Sequence, residues 1–125
     1  MFTLSVVILT KNEEKNIIDV IANAKKCTNN VFIVDSGSTD RTVDLANKHG
    51  AEVVFRKWDN DFAAQRNFAL TKIQTDYVLY LDADERMSED LIKSVKKVMD
   101  ENVAKQYSFM RKIKAFGFEY QYGIF

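Results

Sequence analysis

Tyr77-Val78-Leu79-Tyr80-Leu81-Asp82-Ala83-Asp84-Glu85 is an apolar run that stops at two carboxylates one residue apart. The run reads as a buried β-strand with the carboxylates at its carboxyl end. In an open α/β sheet that end borders the crevice where ligands bind. Two fixed negative charges there point to a hard divalent cation, which takes oxygen ligands and is commonly shared between one or two carboxylates and the phosphate oxygens of a substrate. The first reading is therefore a nucleoside diphosphate site.

Spacing alone does not carry that reading, because Asp59-Asn60-Asp61 repeats the pattern. That copy follows Lys57-Trp58 with no strand before it and precedes a helical pattern, so it reads as a loop ending in a helix N-cap. Strand context separates the two.

Outward from the run, Thr3 to Leu9 is a β-branched and apolar strand that ends in Thr10-Lys11-Asn12-Glu13-Glu14. Ile17, Ile18, Ile21 and Ala24 then recur at helical spacing over about three turns. Val31 to Val34 is a second strand, running into Asp35-Ser36-Gly37-Ser38-Thr39-Asp40, a turn rich in capping residues, and then a helix through Val43, Leu45 and Ala46 that stops at Gly50. Ala51 to Phe55 reads as a strand, Asp61 to Ile73 as a helix, Tyr77 to Leu81 as a strand, and Ser88 to Asn102 as a helix with Leu91, Ile92, Val95, Val98 and Met99 inward. Strand and helix alternate four times, the pattern of an α/β fold whose mostly parallel sheet carries helices on both faces. The polar clusters then share one edge.

The chain has 125 residues, 46% hydrophobic, with a formal net charge of +0, which fits one domain and is small for an enzyme that holds two substrates. The neutral balance argues against a nucleic-acid partner, which calls for a basic stripe. No apolar run approaches the length of a membrane span, and the first residues do not show a basic-then-apolar leader pattern. The expected compartment is the cytoplasm, peripheral at the inner face of the membrane. The single Cys27 reads as a packing residue near the end of the first helix, and His49, before Gly50, as a helix-ending residue.

After Asn102 the character changes: seven of the fifteen aromatics fall in the last nineteen residues, and Phe116, Phe118, Tyr120 and Tyr122 alternate as in a strand with one aromatic face. Such a face needs cover. An edge hairpin on this core, a subunit contact forming a homo-oligomer, a membrane-surface patch with Arg111, Lys112 and Lys114, or an end exposed by truncation all satisfy the pattern.

Three polar clusters meet at the carboxyl edge: Thr10 to Glu14, Asp35 to Asp40, and Asp82 to Asp84. A carboxylate such as Asp35 can accept from a base N–H or a hydroxyl. Arg66, in Ala63-Ala64-Gln65-Arg66-Asn67-Phe68-Ala69, can contact phosphate or base, or balance the acidic edge.

Ser5-Val6-Val7-Ile8-Leu9-Thr10-Lys11-Asn12-Glu13, Val34-Asp35-Ser36-Gly37-Ser38-Thr39-Asp40-Arg41-Thr42, Ala64-Gln65-Arg66-Asn67 and Leu81-Asp82-Ala83-Asp84 resemble, in order, the signatures of glycosyltransferase family 2, inverting enzymes of GT-A (Rossmann-like) fold. The resemblance covers essentially the whole chain and looks closest to bacterial glucosyltransferases that build the lipopolysaccharide inner core. It implies a nucleotide-sugar donor, UDP-linked by preference, a Mn²⁺ or Mg²⁺ ion, and transfer with inversion to a saccharide or lipid-linked acceptor. It implies that Thr10 and Glu13 line the nucleoside pocket, Asp35 contacts the base and Arg66 lies beside the nucleotide. Asp82 would face ribose or metal-bound water, and Asp84 would bind the cation directly.

Two departures stand out. Many members carry a second aspartate where this chain has Ser36, which leaves the base contact to Asp35 alone. The family's general base lies well downstream of the D-x-D, so the resemblance implies a catalytic base beyond Phe125. It also implies a fold incomplete at the C-terminus: residues 1–106 as the nucleotide-sugar-binding core, residues 107–125 as the start of the acceptor side, and a fragment with little turnover. Two rival readings are a flavodoxin-like phosphoacceptor domain, with Glu13 and Glu14 as acidic metal partners, and a non-catalytic interaction module built on the aromatic tail.

Overall fold

A computed structural model describes residues 3–101, 111–115 and 118–122. Within them, β1 (Leu4–Thr10), α1 (Ile17–Ala24), β2 (Val31–Asp35), α2 (Thr42–Lys48), β3 (Glu52–Phe55), α3 (Phe62–Leu70), β4 (Tyr77–Tyr80) and α4 (Glu89–Glu101) follow in strict alternation. The four strands form one parallel sheet in the order β3-β2-β1-β4. β5 (Arg111–Ala115) and β6 (Phe118–Tyr122) pair antiparallel as a separate two-stranded sheet. Phe118, Tyr120 and Tyr122 thus lie in a strand as expected, while Phe116 falls outside the described residues.

The apolar runs are nearly continuous because alternate residues feed two cores, one on each face of the sheet. Leu4, Val6 and Ile8 of β1, Val31 and Ile33 of β2, and Tyr77 and Leu79 of β4 point to α1, α2 and α4. Val7, Phe32, Val34 and Val78 point the other way, to Ala69 of α3.

Ile17, Val20, Ile21 and Ala24 put the buried stripe of α1 at spacings of three and four. Leu91, Ile92, Val95 and Met99 do the same for α4. Full burial of each such aliphatic chain contributes about 1.5–3 kcal/mol. α1 is eight residues long, shorter than the three turns its spacing predicts, because residues before Ile17 are drawn into loop hydrogen bonds. The side chain of Val98, expected inward, lies outside what is described.

Capping sets where helices begin. The Asp61 carboxylate accepts from the Ala64 N–H at 3.0 Å at the start of α3, as predicted for the second D-x-D. Ser88 Oγ accepts from the Leu91 N–H ahead of α4. His49 closes α2, donating its N–H to the carbonyls of Leu45 and Ala46, and Gly50 follows in the left-handed region at φ +81°. No helix among the described residues is long and apolar enough to cross a membrane.

Candidate functional site

The register of β1 against β2 puts Thr10 opposite Asp35, and this pair organises one end of the sheet. The Asp35 carboxylate is buried, at 2% exposure. Its Oδ1 accepts from the hydroxyls of Thr10 (2.7 Å) and Ser38 (2.6 Å), and its Oδ2 accepts from the N–H groups of Gly37 (3.0 Å) and Ser38 (2.8 Å). Burial pushes its pKa up, but the hydrogen bonds from Ser38, Thr10 and Gly37 outweigh that and hold the carboxyl below the ordinary aspartate range. A carboxylate has about four lone-pair sites. Those of Asp35 are engaged by Thr10, Gly37 and Ser38, so the carboxylate holds the loop between β2 and α2.

The two loops are stitched by side chains. Asn12, at φ 53°, accepts the N–H groups of Thr39 (2.8 Å) and Asp40 (3.3 Å) on its amide oxygen, and its own N–H donates to Ser38 Oγ. Lys11 Nζ donates to the Gly37 carbonyl at 3.0 Å. The Glu13 N–H donates to Thr42 Oγ1, and one carboxylate oxygen of Glu13 accepts from the Asn16 amide at 3.0 Å.

Beside these loops, on the α3 side, opens a cavity of about 320 Å³ lined by Leu9, Thr10, Lys11, Ser36, Trp58, Phe62 and Gln65. That volume suits a small-molecule site. Trp58 and Phe62 meet edge to face, centroids 4.7 Å apart, and Phe62 is 62% exposed. Gln65 is buried and fixed at both ends of its amide, its oxygen accepting from Arg56 Nη1 (2.6 Å) and its nitrogen donating to the Arg56 carbonyl (3.3 Å). Of the expected nucleoside residues, only Thr10 lines this cavity. Trp58 and Phe62 were missed by sequence reasoning, which saw only a capped loop, and Gln65 was quoted only as part of the Ala64-Gln65-Arg66-Asn67 signature. The available signal was two large aromatics flanking the cap four residues apart.

At the end of β4 the Leu81 N–H donates to the Val7 carbonyl, and the chain leaves the sheet at Asp82. Leu81, Ala83, Glu85 and Met87 are buried while Asp82 and Asp84 are exposed, so alternation turns both carboxylates outward. Neither has a side-chain hydrogen bond or ion pair among the described residues. The described residues hold no cluster of three or more side chains able to bind a metal on their own. Two unengaged carboxylates on one turn nevertheless fit a Mn²⁺ or Mg²⁺ ion whose remaining ligands are phosphate oxygens and water.

Arg66 lies on α3 with its guanidinium over the Tyr80 ring, 5.4 Å from the centroid. Burial raises the Tyr80 pKa, with the charge of Arg66 pulling the other way. Asp59, the first residue of the second D-x-D, pairs with Arg56 at 2.9 Å.

Over residues 5–122 the chain matches the family model described as Glycosyl transferase family 2. An uncharacterized glycosyltransferase of Rickettsia conorii is 42% identical over 88 residues, covering 70% of this chain and 31% of that protein. The chain spans about a third of the length of the curated relatives it matches. Among solved structures, S. aureus TarS 1-349 aligns with a TM-score of 0.68 at 26% identity, covering 79% of this chain and 32% of that one. Glucosyl-3-phosphoglycerate synthase from Mycobacterium tuberculosis, in complex with Mn²⁺, UDP and glucosyl-3-phosphoglycerate, aligns with a TM-score of 0.59 at 28% identity, covering 67% of this chain and 34% of that one.

Proposed function

The chain belongs to glycosyl transferase family 2, with the parallel α/β core of the GT-A fold, and from that premise we propose that this core binds a nucleoside diphosphate sugar for transfer with inversion. The observation that carries the reading is the outward-facing pair Asp82 and Asp84 at the carboxyl end of β4, whose carboxylates have no hydrogen-bond or ion-pair partner among the described residues. A structural neighbour complexed with Mn²⁺ and UDP supports a UDP-linked donor and a Mn²⁺ or Mg²⁺ ion here.

In this reading the base occupies the cavity bordered by Thr10, Ser36, Trp58 and Phe62, with the aromatic side chains offering apolar area and a stacking face. Asp35 holds the loop in place, and Glu13 borders the nucleoside from the start of the β1–α1 loop. Arg66, beside Tyr80, contributes positive charge next to the nucleotide. Asp84 would hold the cation directly, and Asp82 through ribose or metal-bound water. The chemistry the cation supplies when bound is neutralisation of the diphosphate as charge collects on it. The protein's share is orientation of the anomeric carbon.

The acceptor is a saccharide or lipid-linked glycan, and the setting is cell-envelope polysaccharide or lipopolysaccharide core synthesis, in the cytoplasm at the inner membrane face. Residues 1–106 form the donor-binding unit, and residues 107–125 begin the acceptor side, with the aromatic strand available for membrane-surface or subunit contacts. Calorimetric titration with UDP, GDP and ADP, each with and without Mn²⁺, tests the donor reading. UDP binding strengthens at least tenfold with Mn²⁺ and that gain disappears in Asp84→Ala, a change of about 1.4 kcal/mol or more. Equal affinity with and without metal in the unaltered chain sinks the reading.

A further inference from the structure

We infer that Arg86 is a positioning residue for the D-x-D, clamping its turn to the start of α1 beside Glu13; the inference rests on the donor-site reading above. The guanidinium Nη1 donates to the carbonyls of Ala83 (2.8 Å) and Glu85 (2.7 Å), and Nη2 reaches the carbonyl of Asn16 (3.4 Å). Ala83 sits between the two aspartates, so fixing its carbonyl fixes the peptide planes that aim both carboxylates. Asn16 in turn donates from its amide to Glu13.

The opposite side of the turn is held by Glu85, buried at 7% exposure. Its carboxylate accepts from the Asp82 N–H at 2.7 Å, and its own N–H donates to the Asp82 carbonyl at 2.9 Å. The backbone of residues 82–85 is therefore gripped from both sides while the aspartate carboxylates stay bare. What matters for function is where the charge of Arg86 goes. An arginine next to two aspartates would ordinarily form a salt bridge, yet no ion pair joins Arg86 to Asp82 or Asp84. Its donors go to carbonyls, in a planar fork that a lysine cannot reproduce. The turn is thus stiffened without neutralising the groups that would hold a cation.

A clamp of this kind acts on the metal-dependent part of binding and leaves the metal-free part alone. UDP titrations with and without Mn²⁺ on the unaltered chain, Arg86→Met, Arg86→Lys and Asp84→Ala separate the two. Arg86→Met is expected to cut the Mn²⁺-dependent gain in UDP affinity by roughly tenfold, the loss of a charged hydrogen bond. Its metal-free UDP affinity should stay within about twofold of the unaltered chain, a difference below the usual effect of one lost hydrogen bond. Arg86→Lys, which keeps the charge but not the fork, should recover less than half of the gain. The inference is overturned if Arg86→Met keeps the full metal gain, or loses affinity equally with and without metal. Should Arg86→Met fail to fold by thermal melting, Arg86→Lys carries the test by the same criteria. A metal gain present in the unaltered chain and absent in Asp84→Ala upholds the donor reading whichever way Arg86 falls; its absence from the unaltered chain overturns both.

Discussion

The ends of β2 and β4 carry the same residue to opposite purposes. Asp35 turns inward and is enclosed by the hydroxyls of Thr10 and Ser38 and the N–H groups of Gly37 and Ser38. Asp82 and Asp84 turn outward, and their turn is held by neighbours, Glu85 and Arg86. One aspartate spends its charge on the fold, and the other two are kept from doing so. A strand-end carboxylate is therefore a candidate ligand only where other groups satisfy the backbone around it.

The most direct way to break this comparison is to remove each carboxylate and measure urea unfolding. Asp35→Ala leaves buried donors without an acceptor and should cost roughly 3–5 kcal/mol, or prevent folding, since each unsatisfied group costs about 1–3 kcal/mol. Asp82→Ala and Asp84→Ala, at exposed positions, should stay within about 0.5 kcal/mol of the unaltered chain. Equal losses at the two strand ends would erase the distinction.

A smaller effect sharpens it from the ligand side. Trp58→Ala strips one wall of the cavity and should weaken UDP binding by roughly tenfold, in line with the loss of one base-stacking contact. The loss should be the same with and without Mn²⁺, unlike that of Asp84→Ala. Calorimetry that finds the Trp58 effect only in the presence of metal would merge two regions that the geometry keeps apart.

The smallest effect is in acid. Because the folded pKa of Asp35 is lowered, its contribution to stability is fully present above the ordinary aspartate value of about 3.9 and is lost as pH falls through the folded value. Asp35→Asn should therefore be less stable at neutral pH, with a shallower decline on the acid side. Denaturation midpoints followed from pH 7 to pH 2 measure this; parallel curves would show that Asp35 carries no linked proton.

Much of this was legible before any coordinates. Alternating apolar runs and polar clusters located every strand of the parallel sheet, because burial on both faces leaves a strong periodic trace, and the cap at Asp61 was read from its place between loop and helix. Context also separated the two D-x-D copies: Asp59 is tied to Arg56 and Asp61 caps α3, while Asp82 and Asp84 stand clear. The part Asp35 plays in the fold was not legible, because a chain of letters shows its spacing but not how many donors fold back on it. Trp58 and Phe62 stayed hidden for a related reason, since their cavity is assembled from the end of β1, the loops after β2 and β3, and the start of α3.

Cys27 lies a short step from the β4 turn, its sulfur 3.8 Å from that of Met87, which is itself clasped by both ends of the Asn23 amide. Burial pushes the thiol up to about 11, with Lys96 pulling slightly the other way. At neutral pH almost none of it is the reactive thiolate. The lone cysteine is consequently a slow nucleophile at neutral pH although partly exposed, and it packs on the segment that follows Asp84 without offering a competing reactive group beside it.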